Sequence, residues 1–164
     1  MRPLQQEGLV TAGIRGMLPV NSLTPAEVRE LFRVRGVRSA RGRRDHRLVR
    51  TGAAVARLRE ALAQLADGGG DSAARVEADL LFHLLLCQLA GNCMLVEARR
   101  YLGGQIRVAI MNGGPDNAPP MMSLDRYSPI IDAIEKGDVP AAVAVVEEHM
   151  AAAAEHFADA RDAD

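Results

Sequence analysis

At 164 residues, with 48% apolar side chains and a net charge of −1, the chain has the size of one domain and enough apolar material for a core of its own. Aromatic residues make up 3% and tryptophan is absent, so that core is expected from Leu, Val, Ile, Ala and Met. No apolar run approaches the ~20 residues of a membrane span and no secretory leader is visible, which gives the expectation of a cytoplasmic protein without membrane contact.

The charge is unevenly spread. Residues 1–50 carry eleven arginines against four acids, and residues 51–164 carry nine bases against seventeen acids. Basic character at one end can mark a nucleic-acid neighbour. Cys87 and Cys93 fit no metal or redox spacing and read as small reduced core residues.

Residues 1–20 read either as a frayed tail or as a helix end broken at Gly8 followed by two short strands around Gly13 and Gly16, with Pro19 confining its strand to an edge. Asn21 to Glu27 is a helix start: Thr24 as N-cap, Pro25 at the first helical position and Glu27 completing a capping box. Val28, Leu31, Phe32 and Arg35 then keep helical spacing. From Gly36 to Arg50 the pattern fails. That stretch is arginine-rich without a clean apolar face, and it reads as a solvated connection in preference to a phosphate-binding arm, because it interleaves no aromatics.

The remainder is helical punctuation. Val55, Leu58, Leu62 and Leu65 mark a helix over 53–65, ended by Gly68-Gly69-Gly70. Asp71 or Ser72 caps the next, which runs from about Ala73 to Ala90 and stops at Gly91-Asn92. A further helix takes Leu95, Val96, Leu102, Ile106, Val108 and Ile110 inward, and residues 112–120 form a loop. Leu124 to Lys136 places Tyr127, Ile130, Ile131 and Ile134 inward. Gly137-Asp138 stops that helix and restarts the last, which carries Val143, Val146, His149 and Met150. The expected fold is therefore all-α, an antiparallel bundle of about six helices behind a small wing-like remnant.

Polar residues on the inward faces are the candidates for chemistry. Asp79 and His83 are four residues apart in an almost wholly apolar helix, so both side chains share one face. Tyr127, His149, Arg35 and Arg107 complete the set. Carboxylate and imidazole from different helices can hold a metal ion. Taken alone, Asp79 and His83 read first as a satisfied core pair and second as ligands. No nucleophile elbow, P-loop or dinucleotide glycine pattern is present. A ferritin-like centre needs Glu three residues before His, but Leu80, Val146 and Ala153 precede His83, His149 and His156. The chain does not read as an enzyme.

Several of these pieces fall in a familiar order. Ser22-Leu23-Thr24-Pro25-Ala26-Glu27-Val28 with Phe32 and Arg35 comes first. Asp79-x-x-Phe82-His83 and Gly91-Asn92 follow, then Asp132-Ala133-Ile134-x-x-Gly137-Asp138, Ala141 and Glu148-His149-Met150. Together they resemble the C-terminal effector-binding (FCD) domain of the FadR-type GntR transcription regulators, over roughly residues 22 to 160. The resemblance divides the chain into residues 1–21, a winged helix-turn-helix remnant, and residues 22–164, the helical effector-binding domain. It implies one divalent metal (Zn, Ni or Mn) held by one Asp and three His, helping to bind a small carboxylate effector. Asp79, His83 and His149 match three of those ligand positions. The fourth falls on Tyr127, and a neutral phenol is a poor ligand at pH 7. Arg35 and Arg107 are then bidentate partners for the effector carboxylate, or else ordinary ion pairs.

The N-terminal residues resemble only the end of a recognition helix (Leu4, Glu7-Gly8-Leu9-Val10) and its wing (Arg15-Gly16 to Val20). DNA binding is therefore expected only if a complete N-terminal domain exists. The stretch 36–52 also departs from the Ala- and Leu-rich helix of the family. The expected function is a DNA-binding transcription regulator, homodimeric, whose helical domain senses a small organic acid. The alternative is a stand-alone ligand- or metal-binding helical protein that acts through dimerisation, and a metal-dependent enzyme is the third.

Overall fold

A computed structural model describes Thr24, Ala26, Glu27 and residues 52–66, 71–89, 93–111 and 121–162. The expected hairpin of residues 1–20, the arginine-rich stretch 36–50, Arg35 and the boundary at 21/22 lie outside the described residues. Thr24 and Glu27 form the expected capping box. The Glu27 carboxylate accepts from the Thr24 N–H at 2.8 Å, and the Thr24 hydroxyl oxygen accepts from the Glu27 N–H at 3.3 Å.

Five helices follow: α1 (Gly52–Ala66), α2 (Ser72–Leu89), α3 (Cys93–Met111), α4 (Leu124–Lys136) and α5 (Val139–Asp162). No strand occurs among the described residues. The bounds lie within a few residues of those expected, and three of them are set by visible local devices. On α1 the residues Val55, Leu58, Leu62 and Leu65 repeat at three and four and bury as one stripe. Asp71 caps α2, its Oδ1 accepting from the Ala73 N–H at 2.9 Å.

The α4–α5 turn is the sharpest. Gly137 takes φ 71°, a left-handed conformation natural to glycine. Its N–H donates to the Ile134 carbonyl at 3.0 Å, and the Asp138 N–H donates to the Ala133 carbonyl at 3.1 Å. That pair of bonds is a Schellman motif. Asp138 then starts α5, its Oδ1 accepting from the Ala141 N–H at 3.0 Å.

α2 sits between α1 and α3, and α4 packs on α1 and α5. The links α1–α2, α2–α3 and α4–α5 are short, as expected of antiparallel neighbours. The core gathers Leu58 and Leu65 of α1, Phe82 and Leu86 of α2, Ile106 and Ile110 of α3, Tyr127, Ile130 and Ile131 of α4, and Val146 and Phe157 of α5. The methionines Met121 and Met122, just ahead of α4, are also buried.

Three expectations are corrected at α3. Leu95, Val96, Leu102 and Val108 are only half-buried, and Cys93 is exposed. Arg107 points outward, its side chain 53% exposed. α3 leans chiefly on α2, so only a narrow stripe of it is covered. That stripe runs through Arg99, Ile106, Ala109 and Ile110. Cys87 is buried as expected. No helix among the described residues is long and apolar enough to cross a membrane.

Candidate metal and effector site

α2 delivers Asp79 and His83 to the centre of the bundle, 2% and 0% exposed. They sit one turn apart, and the His83 Nε2 lies 3.5 Å from the Asp79 Oδ1. α5 brings His149 to the same point, 6% exposed. One potential ligand atom from each of the three residues lies within 4.8 Å of the others. The imidazoles of His83 and His149 are nearly parallel, ring centres 5.6 Å apart and planes at 26°.

α4 closes the cluster with Tyr127, 1% exposed. Its hydroxyl donates a hydrogen bond to the Asp79 Oδ1. The phenol ring stands edge-on to His149, centres 4.7 Å apart, and edge-on to Phe82 at 5.1 Å. Tyr127 is thus fastened to the carboxylate and wedged among the two imidazoles and Phe82. Three helices contribute to one point, and neither the carboxylate nor the imidazoles are left in a purely hydrocarbon surrounding.

The donor set fits a divalent metal. A carboxylate oxygen and two imidazole nitrogens, held close together by two helices, are the ligand types that zinc, nickel and manganese accept. A three-ligand set also keeps positions open for water or for a carboxylate from outside.

The cluster reaches the surface through His149. A cleft of about 320 Å³ between α4 and α5 has His149 in its lining, with Arg126 and Glu148 on either side. The Arg126 side chain makes no ion pair with any described residue. Sequence reasoning did not single out Arg126. Its signal is positional: it precedes Tyr127 in the first turn of α4, opposite the part of α5 that carries His149.

Arg107 is elsewhere. It pairs with Glu77 at 2.6 Å on the outside of α2 and α3, and the cluster does not include it. Arg99, which sequence reasoning also passed over, is buried at 3% exposure, and its Nη2 lies 3.5 Å from the Leu80 carbonyl oxygen. Its place on the stripe of Ile106 and Ile110 was the available signal.

The profile of the FCD domain family matches residues 26–152. Among solved structures, the chain is similar to a GntR transcriptional regulator from Rhodococcus sp. RHA1. That match has a TM-score of 0.78 and 22% identity, over 95% of this chain and 75% of the other. It is also similar to Lar, which controls expression of the Listeria monocytogenes agr system, with TM-score 0.72 and 12% identity over 99% and 77%. A GntR family member from Pseudomonas syringae pv. tomato str. DC3000 aligns with TM-score 0.69 and 16% identity over 99% and 68%. At these identities the likeness is one of fold. The search of curated proteins finds no match.

Proposed function

The chain belongs to the FCD domain family, whose domains are regulatory and not catalytic, and from that premise we propose that it is the sensory part of a GntR/FadR-type transcription regulator. Residues 22–164 form the sensory domain in this reading, and residues 1–21 belong to a DNA-reading wing. The protein works as a homodimer in the cytoplasm. The observation that carries the reading is the buried cluster of Asp79, His83 and His149, closed by Tyr127.

Asp79, His83 and His149 would hold a divalent metal. When bound, that ion supplies a Lewis acid on which the oxygens of a small organic acid can settle. The protein's own groups do the rest. Tyr127 holds the Asp79 carboxylate in one orientation through its hydroxyl, as an outer partner of a ligand does. Phe82 and the Tyr127 ring, both buried and packed edge to face, flank the inner side of the cluster with apolar surface. Arg126 stands in the cleft that leads to His149 and can meet a second carboxylate of the incoming acid. Arg35 is assigned the same kind of contact from the family's first helix.

Effector binding changes function only if the effector prefers one of two arrangements of the dimer. The spacing of the DNA-reading heads would then follow effector occupancy.

The test is elemental analysis of the purified protein and of the His83→Ala variant, followed by calorimetry with malonate and succinate. The expected result is near-stoichiometric metal in the wild type, its loss in the variant, and acid binding that depends on the metal. Absence of metal in a folded wild type that also fails to bind either acid would reduce the cluster to a core hydrogen-bonding group and overturn the reading.

A further inference from the structure

The face of α2 away from Asp79 and His83 borders a second cavity. Glu77, Leu80, Leu81 and Leu84 recur at three- and four-residue spacing and form one wall. α3 forms the other with Arg100, Gly103, Arg107 and Val108, and the buried Arg99 lies between them. The cavity measures about 490 Å³, within the range of small-molecule sites, roughly 300–1,000 Å³.

Its lining has two characters. The leucines and Val108 make an apolar surface, and Leu81 stays 57% exposed on it. Against this stand three guanidinium groups and one carboxylate, so the cavity carries net positive charge. Arg107 is held by Glu77 at 2.6 Å and Arg100 by Glu97 at 2.8 Å, but both pairs are exposed and weak enough to exchange partners. Arg99 is 3% exposed, a cation fixed in the apolar wall.

Gly103 supplies the opening. Glycine inside a helix is unfavourable, yet a side chain there would meet nothing within 4 Å among the described residues. The absence of a side chain at Gly103 leaves the groove open at that point.

We propose that this groove between α2 and α3 binds an amphipathic organic anion, a monocarboxylate with a short alkyl tail, independently of the buried cluster. The tail covers Leu80, Leu81 and Leu84, and the carboxylate meets Arg107 and its neighbours. An inorganic anion would leave the leucines wet, and an uncharged alkane would leave the guanidinium groups unused.

Calorimetry on the full chain with octanoate, acetate and octanol tests this. Octanoate should bind with saturation, and acetate and octanol should each bind at least roughly tenfold more weakly, the loss expected of one charge-assisted contact or one apolar tail. Gly103→Leu should abolish octanoate binding while circular dichroism stays helical, since leucine favours a helix and fills the groove. Arg107→Gln, an exposed substitution, should weaken octanoate roughly tenfold and leave octanol unchanged. His83→Ala should bind octanoate like the wild type. The proposal is overturned if octanoate does not bind, or if octanol binds as well. It also fails if Gly103→Leu keeps binding while His83→Ala loses it, which moves the ligand to the buried cluster. A changed oligomeric state in Gly103→Leu, without octanoate binding to the wild type, would make the groove a subunit contact and equally overturn it.

Discussion

Tyr127 is the residue on which the cluster turns. Its hydroxyl donates to a carboxylate that is almost fully buried. A hydrogen bond to a charged group is worth about 1.5–3 kcal/mol, and removing the donor leaves the acceptor without it. Tyr127→Phe should therefore lower the stability of the metal-free protein by about 1–3 kcal/mol in urea unfolding. In the reading proposed above it should also weaken metal binding by roughly 10- to 100-fold, because the carboxylate loses its outer partner. A ring acting by shape alone would show neither loss. Protons compete for the same imidazole nitrogens. His83 and His149 must be neutral to ligate. Metal retained after dialysis should accordingly fall as the pH drops from 8 to 5, and Asp79→Asn should lose it already at the higher pH.

At this scale the sequence was informative only where a polar residue interrupted an apolar face. Asp79, His83 and His149 stand out in that way, and they do converge. Arg107 misled because α3 has apolar residues on several sides, so periodicity alone could not tell its covered stripe from its open one. Arg126 was invisible because an arginine in a first helical turn looks like any solvated charge.

Among the elements, the α4–α5 hairpin matters most for the site, since it fixes the register between Tyr127 and His149. Gly137 carries that register with a left-handed φ of 71°. Gly137→Ala should cost about 1 kcal/mol, seen as a lower denaturation midpoint with an unchanged slope. If the strain relaxes by shifting α5, metal affinity should fall with it, although residue 137 touches no ligand. Helix bounds were legible because stop and start signals are local: a Schellman glycine, then an aspartate cap. The facing of α2 was not legible. Its residues are apolar almost all round, so no moment distinguishes Leu81, left 57% exposed, from Phe82, fully buried. Only the placement of α1, α3, α4 and α5 around it decides.

The whole molecule offers a simpler readout of ligand binding. A ligand that binds only the folded state stabilises it by about 2.7 kcal/mol when present at 100 times its Kd. For a domain of this size each kcal/mol moves Tm by roughly 2–4 °C. Zinc, nickel or manganese should therefore raise Tm by several degrees in the wild type, chelator should reverse the rise, and His149→Ala should not respond. The exposed pair of Arg59 and Glu135, at 2.6 Å, ties α1 to α4 but adds little to this balance. Neutralising it should leave Tm nearly unchanged.

Tyr127 and Asp79, 48 positions apart in sequence, meet only when α4 closes on α2. His149 arrives from a still later helix. Contacts of such long sequence separation form late, after the local helices and their nearest packing. The cluster is accordingly expected to be complete only after the folding transition state, and a bound metal to act on the native state alone. Its effect should fall on the unfolding rate: occupancy should make the protein slower to open, and so harder to proteolyse, without making it faster to fold. In that sense the cluster is a latch on the time the bundle stays shut. Stopped-flow traces with and without zinc would show it as a shifted unfolding limb beside a refolding limb that does not move.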